Sequence, residues 1–201
     1  MAENQLIIKS VKNLLLYISL SYKDIIGVYN KHILRMDKQI ILSLDSATKT
    51  GWAIYKNGKI EKHATKRFNA STRVAEYGKW LERLITRNKI NTIVAEDIFR
   101  EHSRTKDRAF QTLAQLQGVL MYLSDKHVIE LKFIEPLRVK NHMIPSIRPH
   151  SRTEDKSRMI NRVKKLGYEL ETDKSDDEAD AIGIMITYLD DKSLPVTHPI
   201  C

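Results

Sequence analysis

The sequence predicts an α/β domain built on a mixed five-stranded sheet flanked by helices, with an N-terminal helical extension. Two observations lead to this prediction. Short apolar runs of strand length are followed by longer segments in which apolar residues recur at helical spacing. Three of the strands come first without an intervening helix, and Asn57-Gly58 between the second and third marks a tight hairpin. An antiparallel meander followed by helix-connected strands forms one mixed sheet.

The elements follow one another along the chain in the order βββαβαβαα. The helix ending at residue 166 stops before Gly167, and the last two helices each begin with a capping-box pattern, Ser151-x-x-Glu154 and Ser175-x-x-Glu178. This order is that of the ribonuclease H-like fold. The predicted strands cover about residues 40–45, 52–55, 59–65, 90–95 and 128–134, and the predicted helices about 74–85, 106–124, 153–166 and 176–189.

The chain divides into three predicted parts: an extension over residues 1–37, a main α/β domain over 38–192 and a tail over 193–201. The extension contains two short amphipathic segments and carries no candidate chemistry. It could be a small DNA-binding appendage or a helical pair that packs on the domain. A natural start at Met36, which would make the segment dispensable, is a third reading.

The composition favours a polyanionic partner. Lys and Arg number 34 against 25 Asp and Glu, which gives a net charge of +9 and favours nucleic acid or an anionic membrane surface. The longest apolar stretch, Leu14 to Ile18, is far too short to span a membrane. The one cysteine, Cys201, permits neither an internal disulfide nor a thiolate metal site. We therefore expect a cytoplasmic protein that binds nucleic acid and no membrane.

Four carboxylates stand where a metal-dependent nuclease needs them. Asp45 and Glu96 each end an apolar strand, and Asp177 and Asp180 lie three residues apart on one face of the last helix. If the two strands are adjacent and parallel, their ends bring both carboxylates to the ligand-binding edge of the sheet. Carboxylates without nearby His or Cys suit Mg²⁺ or Mn²⁺, and two such ions can drive phosphodiester hydrolysis.

Each of these residues also has an ordinary structural explanation. An Asp after a strand is commonly a turn former, and acidic residues at a helix start favour the helix dipole. Lys156 precedes the apolar face of its helix by one turn, so it could contact a scissile phosphate or be a surface lysine. Two basic stretches, residues 100–108 and 138–165, could flank a DNA strand or be solvated faces.

Several motifs together resemble the RuvC-like Holliday junction resolvases, in particular the divergent forms of phages and viruses. They are I-L-S-L-D-S-A-T-K-T-G-W-A at 41–53, I-V-A-E-D-I-F at 93–99, D-K-S-R at 155–158 and D-E-A-D-A at 177–181. The resemblance spans about residues 38–190. Bacterial members have Pro-Gly directly after the first Asp, where this chain has Ser46-Ala47.

The resemblance implies a set of roles for residues of this chain. Asp45, Glu96, Asp177 and Asp180 would be the catalytic carboxylates that bind two Mg²⁺ ions, with Mn²⁺ as a substitute, and Lys156 the active-site lysine. The partner would be branched DNA, chiefly four-way junctions, cut by a homodimer in the cytoplasm (the host cytoplasm for a phage protein). The apolar stripe of the 106–124 helix is a candidate dimer interface or simply core. Predicted DNA contacts are Phe99, with a core position as its alternative, and Arg100, Arg104, Lys106, Arg108, Arg152 and Arg158.

Three other function classes remain open from the sequence. D-S-A-T-K-T-G loosely matches the phosphate loop of actin-like phosphotransferases, although those need two such domains and this chain has one. A non-catalytic nucleic-acid-binding relative is the second class, but a binding module has no reason to concentrate negative charge against DNA. The third keeps the metal site and changes the target: a general nuclease, a ribonuclease or a transposase.

Overall fold

The computed structural model describes residues 39–98, 107–146, 151–172 and 175–199, with the backbone alone at 107 and 108. These residues belong to one unit that begins at Gln39. The predictions for residues 1–37 therefore lie outside the described residues. No helix in the described part of the chain is long and apolar enough to cross a membrane.

A mixed five-stranded sheet forms the centre of the molecule, as the sequence predicts. Its strand order is β3-β2-β1-β4-β5. β1 pairs antiparallel with β2 and parallel with β4, which in turn pairs parallel with β5. The strands are β1 (Ile41–Asp45), β2 (Lys49–Lys56), β3 (Lys59–Arg67), β4 (Thr92–Glu96) and β5 (Glu130–Ile134).

Helices cover both faces of this sheet. In the described residues the sequence predicts every helix but one, a short helix that begins with Pro136 in its first turn. Proline suits that position because the first N–H groups of a helix have no internal partner. The helices are α1 (Arg73–Asn88), α2 (Asp107–Lys126), α3 (Pro136–Met143), α4 (Arg152–Lys165) and α5 (Asp176–Asp191).

The β2–β3 connection is the predicted hairpin. Asn57 and Gly58 have φ angles of 54° and 78°, as a two-residue turn with two left-handed positions requires. The chain after α5 packs on this hairpin, since the Thr197 N–H donates to the carbonyl of Gly58 at 2.7 Å. The Tyr55 hydroxyl donates to the carbonyl of Pro195 at 2.8 Å.

The two faces of the sheet bury separate apolar clusters. Ile41 and Val94 pack on the side of α3, α4 and α5, whereas Leu42 and Ile93 pack on the side of α1 and α2. This division follows from the alternation of side chains along a strand. Both faces of the central strands are thus buried, so their ends at one edge are the part of the sheet left for chemistry.

The apolar stripe of α2 is part of the core. Leu116, Leu120 and Leu123 are buried against the sheet and α1. Phe110 and Leu113, at the start of the same stripe, are half-buried. The stripe's buried part is therefore not available as the dimer interface that the sequence also allowed.

The start and end of α4 agree with the sequence. The Ser151 hydroxyl oxygen accepts the N–H of Glu154 at 3.2 Å, which is the first half of the predicted capping box. After the helix, Gly167 adopts a φ of 89°, a left-handed conformation that glycine reaches without steric cost. α4 is thereby confined to a defined length beside α5.

Candidate functional site

Asp45 and Glu96 meet at one edge of the sheet. They end the neighbouring parallel strands β1 and β4, in which Leu44 lies opposite Ala95. Their carboxyl groups interact closely enough for each to shift the pKa of the other. The sequence-based expectation that the two strands are adjacent and parallel is therefore correct.

Burial and neighbouring negative charges make these two acids hard to ionise. Burial raises the pKa of Asp45 well above its usual value, and the charges of Glu96, Asp180 and Asp177 raise it further. Burial also raises the pKa of Glu96, although its interaction with Asp45 and the charge of Lys140 oppose the shift. The excess negative charge at this edge needs a compensating cation or proton.

α5 brings the other two predicted carboxylates to the same edge. The buried Ser43 hydroxyl of β1 donates to the carbonyl of Ala181 at 2.7 Å. On β2, Gly51 lies so close to the start of α5 that an added Cβ would be 1.7 Å from the carbonyl oxygen of Asp177. Gly51 is also the register partner of Asp45, so the close approach sets the distance between Asp45 and the acids of α5.

Asp180 has the most informative electrostatic environment of the four. Burial, followed by the charges of Glu96 and Asp176, raises its pKa to about 7, against the opposing charge of Lys156. A carboxyl whose pKa is shifted by burial and by specific like charges is a common sign of a functional site. The same pattern does not arise at a solvated helix start, which is the ordinary explanation for acids at the beginning of this helix.

Two lysines contact the acids of α5. Lys49 Nζ lies 3.3 Å from Asp177 Oδ2, and the Lys156 ammonium pairs with Asp176. Burial raises the pKa of Asp176, but the hydrogen bond and charge of Lys156 outweigh it, so the pKa is lowered overall. Lys156 is thus beside the site as the sequence suggested, although its direct partner is Asp176.

Sequence reasoning missed Lys49 and Asp176 as members of the site. The available signal for Lys49 was the hairpin-like return from β1 to β2, which places the first residue of β2 near the end of β1. For Asp176 the signal was its position at the start of a helix whose next acids were already candidates. Neither signal identifies the partner of the residue, because the partner is known only once the position of α5 on the sheet is known.

The predicted capping box at the start of α5 is wrong. The Ser175 side chain makes no hydrogen bond to the helix N–H groups; its oxygen accepts the N–H of Thr172 at 3.2 Å. Glu178 is fully buried, with Oε1 2.7 Å from Nδ1 of His63 and Oε2 accepting the N–H of Glu171 at 2.9 Å. Tertiary partners replace the local cap, and they join α5 to β3.

The donor set fits a hard divalent cation in its chemistry. Carboxylate oxygens converge at this edge of the sheet. The ring of His63 on β3 pairs with Glu178 of α5. Within the described ranges, however, no three His, Cys, Asp or Glu side chains are arranged to hold a metal ion. Lys49 pairs with an oxygen of Asp177 that a cation would need.

The predicted DNA contacts can be placed only in part. Arg152 is exposed at the first residue of α4. The Arg158 guanidinium donates from Nη2 to the carbonyls of Ile144 and Pro145, at 3.2 and 3.0 Å. Arg108 lies in the first turn of α2, with its side chain outside the described part. The remaining predicted contacts lie outside the described residues: Phe99, Arg100, Arg104 and Lys106.

Comparisons with known proteins give a fold and no sequence family. No protein-family model matches the sequence, and no curated protein matches it. Among solved structures, RuvC of Thermus thermophilus in complex with a Holliday junction substrate superposes with a TM-score of 0.60 at 13% identity, over 81% of this chain and 99% of that one.

Two further resolvases have the same architecture. The fowlpox virus Holliday junction resolvase gives a TM-score of 0.55 at 12% identity, over 76% of this chain and 99% of that one. The yeast mitochondrial Holliday junction resolvase Ydc2 gives 0.53 at 13% identity, over 76% and 78%. The chain thus has the RuvC-like fold of the ribonuclease H-like class, which confirms the resemblance at the level of the fold.

Proposed function

We propose that this protein is a Mg²⁺-dependent endonuclease that resolves four-way DNA junctions. The observation that carries the proposal is the cluster of Asp45, Glu96 and Asp180 at the sheet edge, in which burial raises the pKa of each acid and neighbouring negative charges raise those of Asp45 and Asp180 further. A fold does not define a function by itself. An acidic centre in a chain of net charge +9, however, suits a nuclease better than a simple binding module.

Asp45, Glu96, Asp177 and Asp180 would hold the metal, with Mn²⁺ able to substitute for Mg²⁺. Two bound ions would favour attack of water on the scissile phosphorus and stabilise the leaving oxygen. The chain's own residues then have distinct tasks. The acids bind and orient, while Lys156, already beside the cluster, would offset negative charge on the phosphate. Lys49 would leave Asp177 when a cation binds.

Branched DNA is the proposed substrate because of the structural neighbours. The Thermus thermophilus and fowlpox virus proteins were both solved with Holliday junction DNA. Paired cuts in opposing strands of a two-fold symmetric junction require two active sites, and each chain supplies one. We therefore propose a homodimer that recognises junction shape and phosphates, with little readout of base sequence.

The test uses a synthetic four-way junction and a linear duplex of the same sequence. The purified protein is incubated with each DNA in Mg²⁺, in Mn²⁺ and in chelator, and the nicks are mapped on all strands. We expect symmetric paired nicks in the junction alone, lost in chelator. Equal cutting of both DNAs would replace the proposal with a general nuclease. Tight junction binding without cutting in either metal would indicate a non-catalytic binding protein.

A further inference from the structure

A basic pocket of about 460 Å³ lies between the end of α3 and the outer side of α4. We call it the α3–α4 pocket. Its volume is within the range of ordinary small-ligand sites. Its wall carries four side chains that are cationic or can become so. The lining residues are His142, Met143, Ile144, Pro145, Arg158, Asn161, Arg162 and Lys165.

Arg158 has one guanidinium nitrogen without a partner in this pocket. Nη2 donates to the carbonyls of Ile144 and Pro145, which fixes the plane of the group. Nη1 is buried and has no hydrogen-bond partner among the described residues. A buried donor left without a partner costs free energy, which a shift of the side chain toward a bound anion would recover.

The other cations of the pocket differ in how far they are neutralised. His142 Nε2 lies 2.8 Å from Asp190 Oδ2, so this ring already has an acidic partner. Arg162 and Lys165 are exposed, and neither forms an ion pair with an acid in the described part of the chain. Their charges are therefore available to a ligand.

The pocket is separate from the candidate active site. At about 100° per residue, Arg158, Arg162 and Lys165 lie about 180° to 240° around α4 from Lys156. Lys156 faces Asp176 at the catalytic edge. The two sets of cations thus occupy opposite sides of one helix, and a ligand in the pocket would not contact the acids.

We propose that the α3–α4 pocket binds a backbone phosphate of a junction arm that is not being cut. This proposal rests on the proposed function, because it takes DNA as the ligand. A guanidinium held in plane in a pocket that further cations line suits a phosphate group, to which arginine donates charge-assisted hydrogen bonds. A four-way junction presents phosphates on several arms at once, so a site behind the catalytic edge would hold a second arm.

Arg162 and Lys165 also have an ordinary role to exclude. Both lie in the last turn of α4, where positive charge favours the helix dipole. That role predicts lower stability when the charges are removed, and no specific change in DNA binding. The salt dependence of DNA binding distinguishes the helix-dipole role from phosphate binding, because each phosphate contact adds about 0.9 to the steepness of log K against log salt.

The first experiment measures junction affinity against salt concentration, in chelator, for the full-length protein. Arg162→Gln with Lys165→Gln is compared with Arg83→Gln plus Arg87→Gln on α1, which removes the same charge from exposed residues across the sheet. We expect the pocket variant to reduce the slope by about 0.9, the share of one phosphate contact, and the control to leave it nearly unchanged. Equal slopes in the two variants would overturn the proposal.

The second experiment observes the pocket without requiring a junction. Met143 lines it and Met121 lies exposed on α2, so ¹³C-methyl methionine spectra are recorded during titration with inorganic phosphate and with a short DNA duplex. A saturable shift at Met143 but not at Met121, lost in the Arg162→Gln, Lys165→Gln variant, supports the pocket. Shifts with DNA at concentrations where phosphate has no effect identify the backbone as the source.

The two experiments fail in different ways. A protein that neither binds nor cuts junctions contradicts the proposed function, and the Met143 titration then decides the pocket alone. A saturable response of Met143 to inorganic phosphate, with none to the DNA duplex, would keep an anion site and overturn its link to DNA arms. No response of Met143 to either probe would overturn the pocket proposal while leaving the junction assay to stand on its own.

Discussion

Asp180 carries the clearest physical signature of function among the single residues. A pKa of about 7 means that about half of the molecules protonate this carboxyl at neutral pH. The pKa values of Asp45 and Glu96 are raised as well. The cluster therefore holds less negative charge than its composition suggests, and a divalent cation would replace protons when it binds.

This charge state predicts how the metal-free protein responds to pH. The folded-state pKa values of Asp180, Asp45 and Glu96 are raised above their unfolded values, so the folded state holds more protons between about pH 4 and 7. Unfolding free energy must then fall as pH rises through this window. In chelator we expect the Tm to drop by several degrees between pH 5 and 7.5, measured by thermal unfolding.

Asp180→Asn is the matched variant for that measurement, since the amide stays neutral throughout. Its Tm should decline less with pH than that of the parent. Mg²⁺ should raise the parent's Tm most at the upper end of the range, where the acids are free of protons. A parent and variant with identical pH profiles would show that Asp180 does not titrate in this window.

The same substitution predicts the effect on catalysis. Asp180→Asn should reduce junction cleavage at least ~100-fold, because it removes one negative metal ligand, and should leave junction binding intact. Glu169→Gln, an exposed acid on the chain before α5, is the control and should cut normally. Cleavage by Asp180→Asn at the parent rate would remove Asp180 from the active site.

The four predicted acids were recognisable because of where they stand on their own elements. Asp45 and Glu96 end apolar strands, and Asp180 lies on the face of α5 that continues into the buried Ile184. Lys49 was not recognisable in this way. Whether Lys49 reaches Asp177 depends on the β1–β2 register and on how α5 docks, which are long-range properties that local spacing does not contain.

At the scale of elements, the contact between β2 and α5 controls the geometry of the site. Gly51 permits it, since a methyl group there would overlap the Asp177 carbonyl. Gly51→Ala should cost ~1–3 kcal/mol of stability and reduce cleavage by more than the stability loss explains, because α5 must move away from Asp45. The measurements are chemical unfolding and cleavage under folding conditions.

Gly118→Ala is the control for that substitution. Gly118 lies in α2 with open space around its Cβ position, so alanine there should add up to ~1 kcal/mol through helix propensity and keep cleavage unchanged. If Gly51→Ala proved as harmless as Gly118→Ala, the close packing of α5 on β2 would not be needed for the site.

The buried Glu178 gives a second prediction for α5. Glu178→Ala leaves the His63 ring and the Glu171 N–H without their acceptor, which should cost ~2–4 kcal/mol, or roughly 5–10 °C in Tm for a domain of this size. Glu178→Gln keeps an acceptor oxygen and should recover part of the loss. Equal Tm values for the alanine variant and the parent would contradict the bridging role.

Element prediction succeeded where period and length were distinctive and failed where the signal was short or local. The strands and α1, α2, α4 and α5 have clear apolar periods. α3 has only eight residues, too few to establish one, and its initial Pro136 resembles a turn signal. The Ser175-x-x-Glu178 pattern matched a capping box, but burial against His63 offers Glu178 a stronger partner than its own helix.

For the whole molecule, an acidic centre within a basic chain sets conflicting requirements. In the proposed function, DNA would be attracted by the overall charge, yet its phosphate would come against four carboxylates. Lys49, Lys140 and Lys156 lie close enough to the cluster to interact electrostatically with Asp176, Glu96 and Asp180, which lowers the repulsion. Cations placed next to the acids would therefore serve the approach of substrate as well as the stability of the domain.

The proposed dimer leads to a prediction that single chains cannot fulfil. If two subunits each make one cut, mixing the parent with excess Asp180→Asn should give dimers with one working site. On a supercoiled plasmid with an extruded cruciform, the parent should produce linear DNA, since both strands are cut before release. The mixture should instead accumulate nicked circles, measured by gel electrophoresis over time. Linear DNA that forms at the same rate in the mixture would mean that the two cuts are made by independent chains.

The control is Asp180→Asn alone, which should leave the plasmid supercoiled. Because the readout is the ratio of nicked to linear product, a general loss of activity in the mixture would lower both products together and could not imitate the dimer effect.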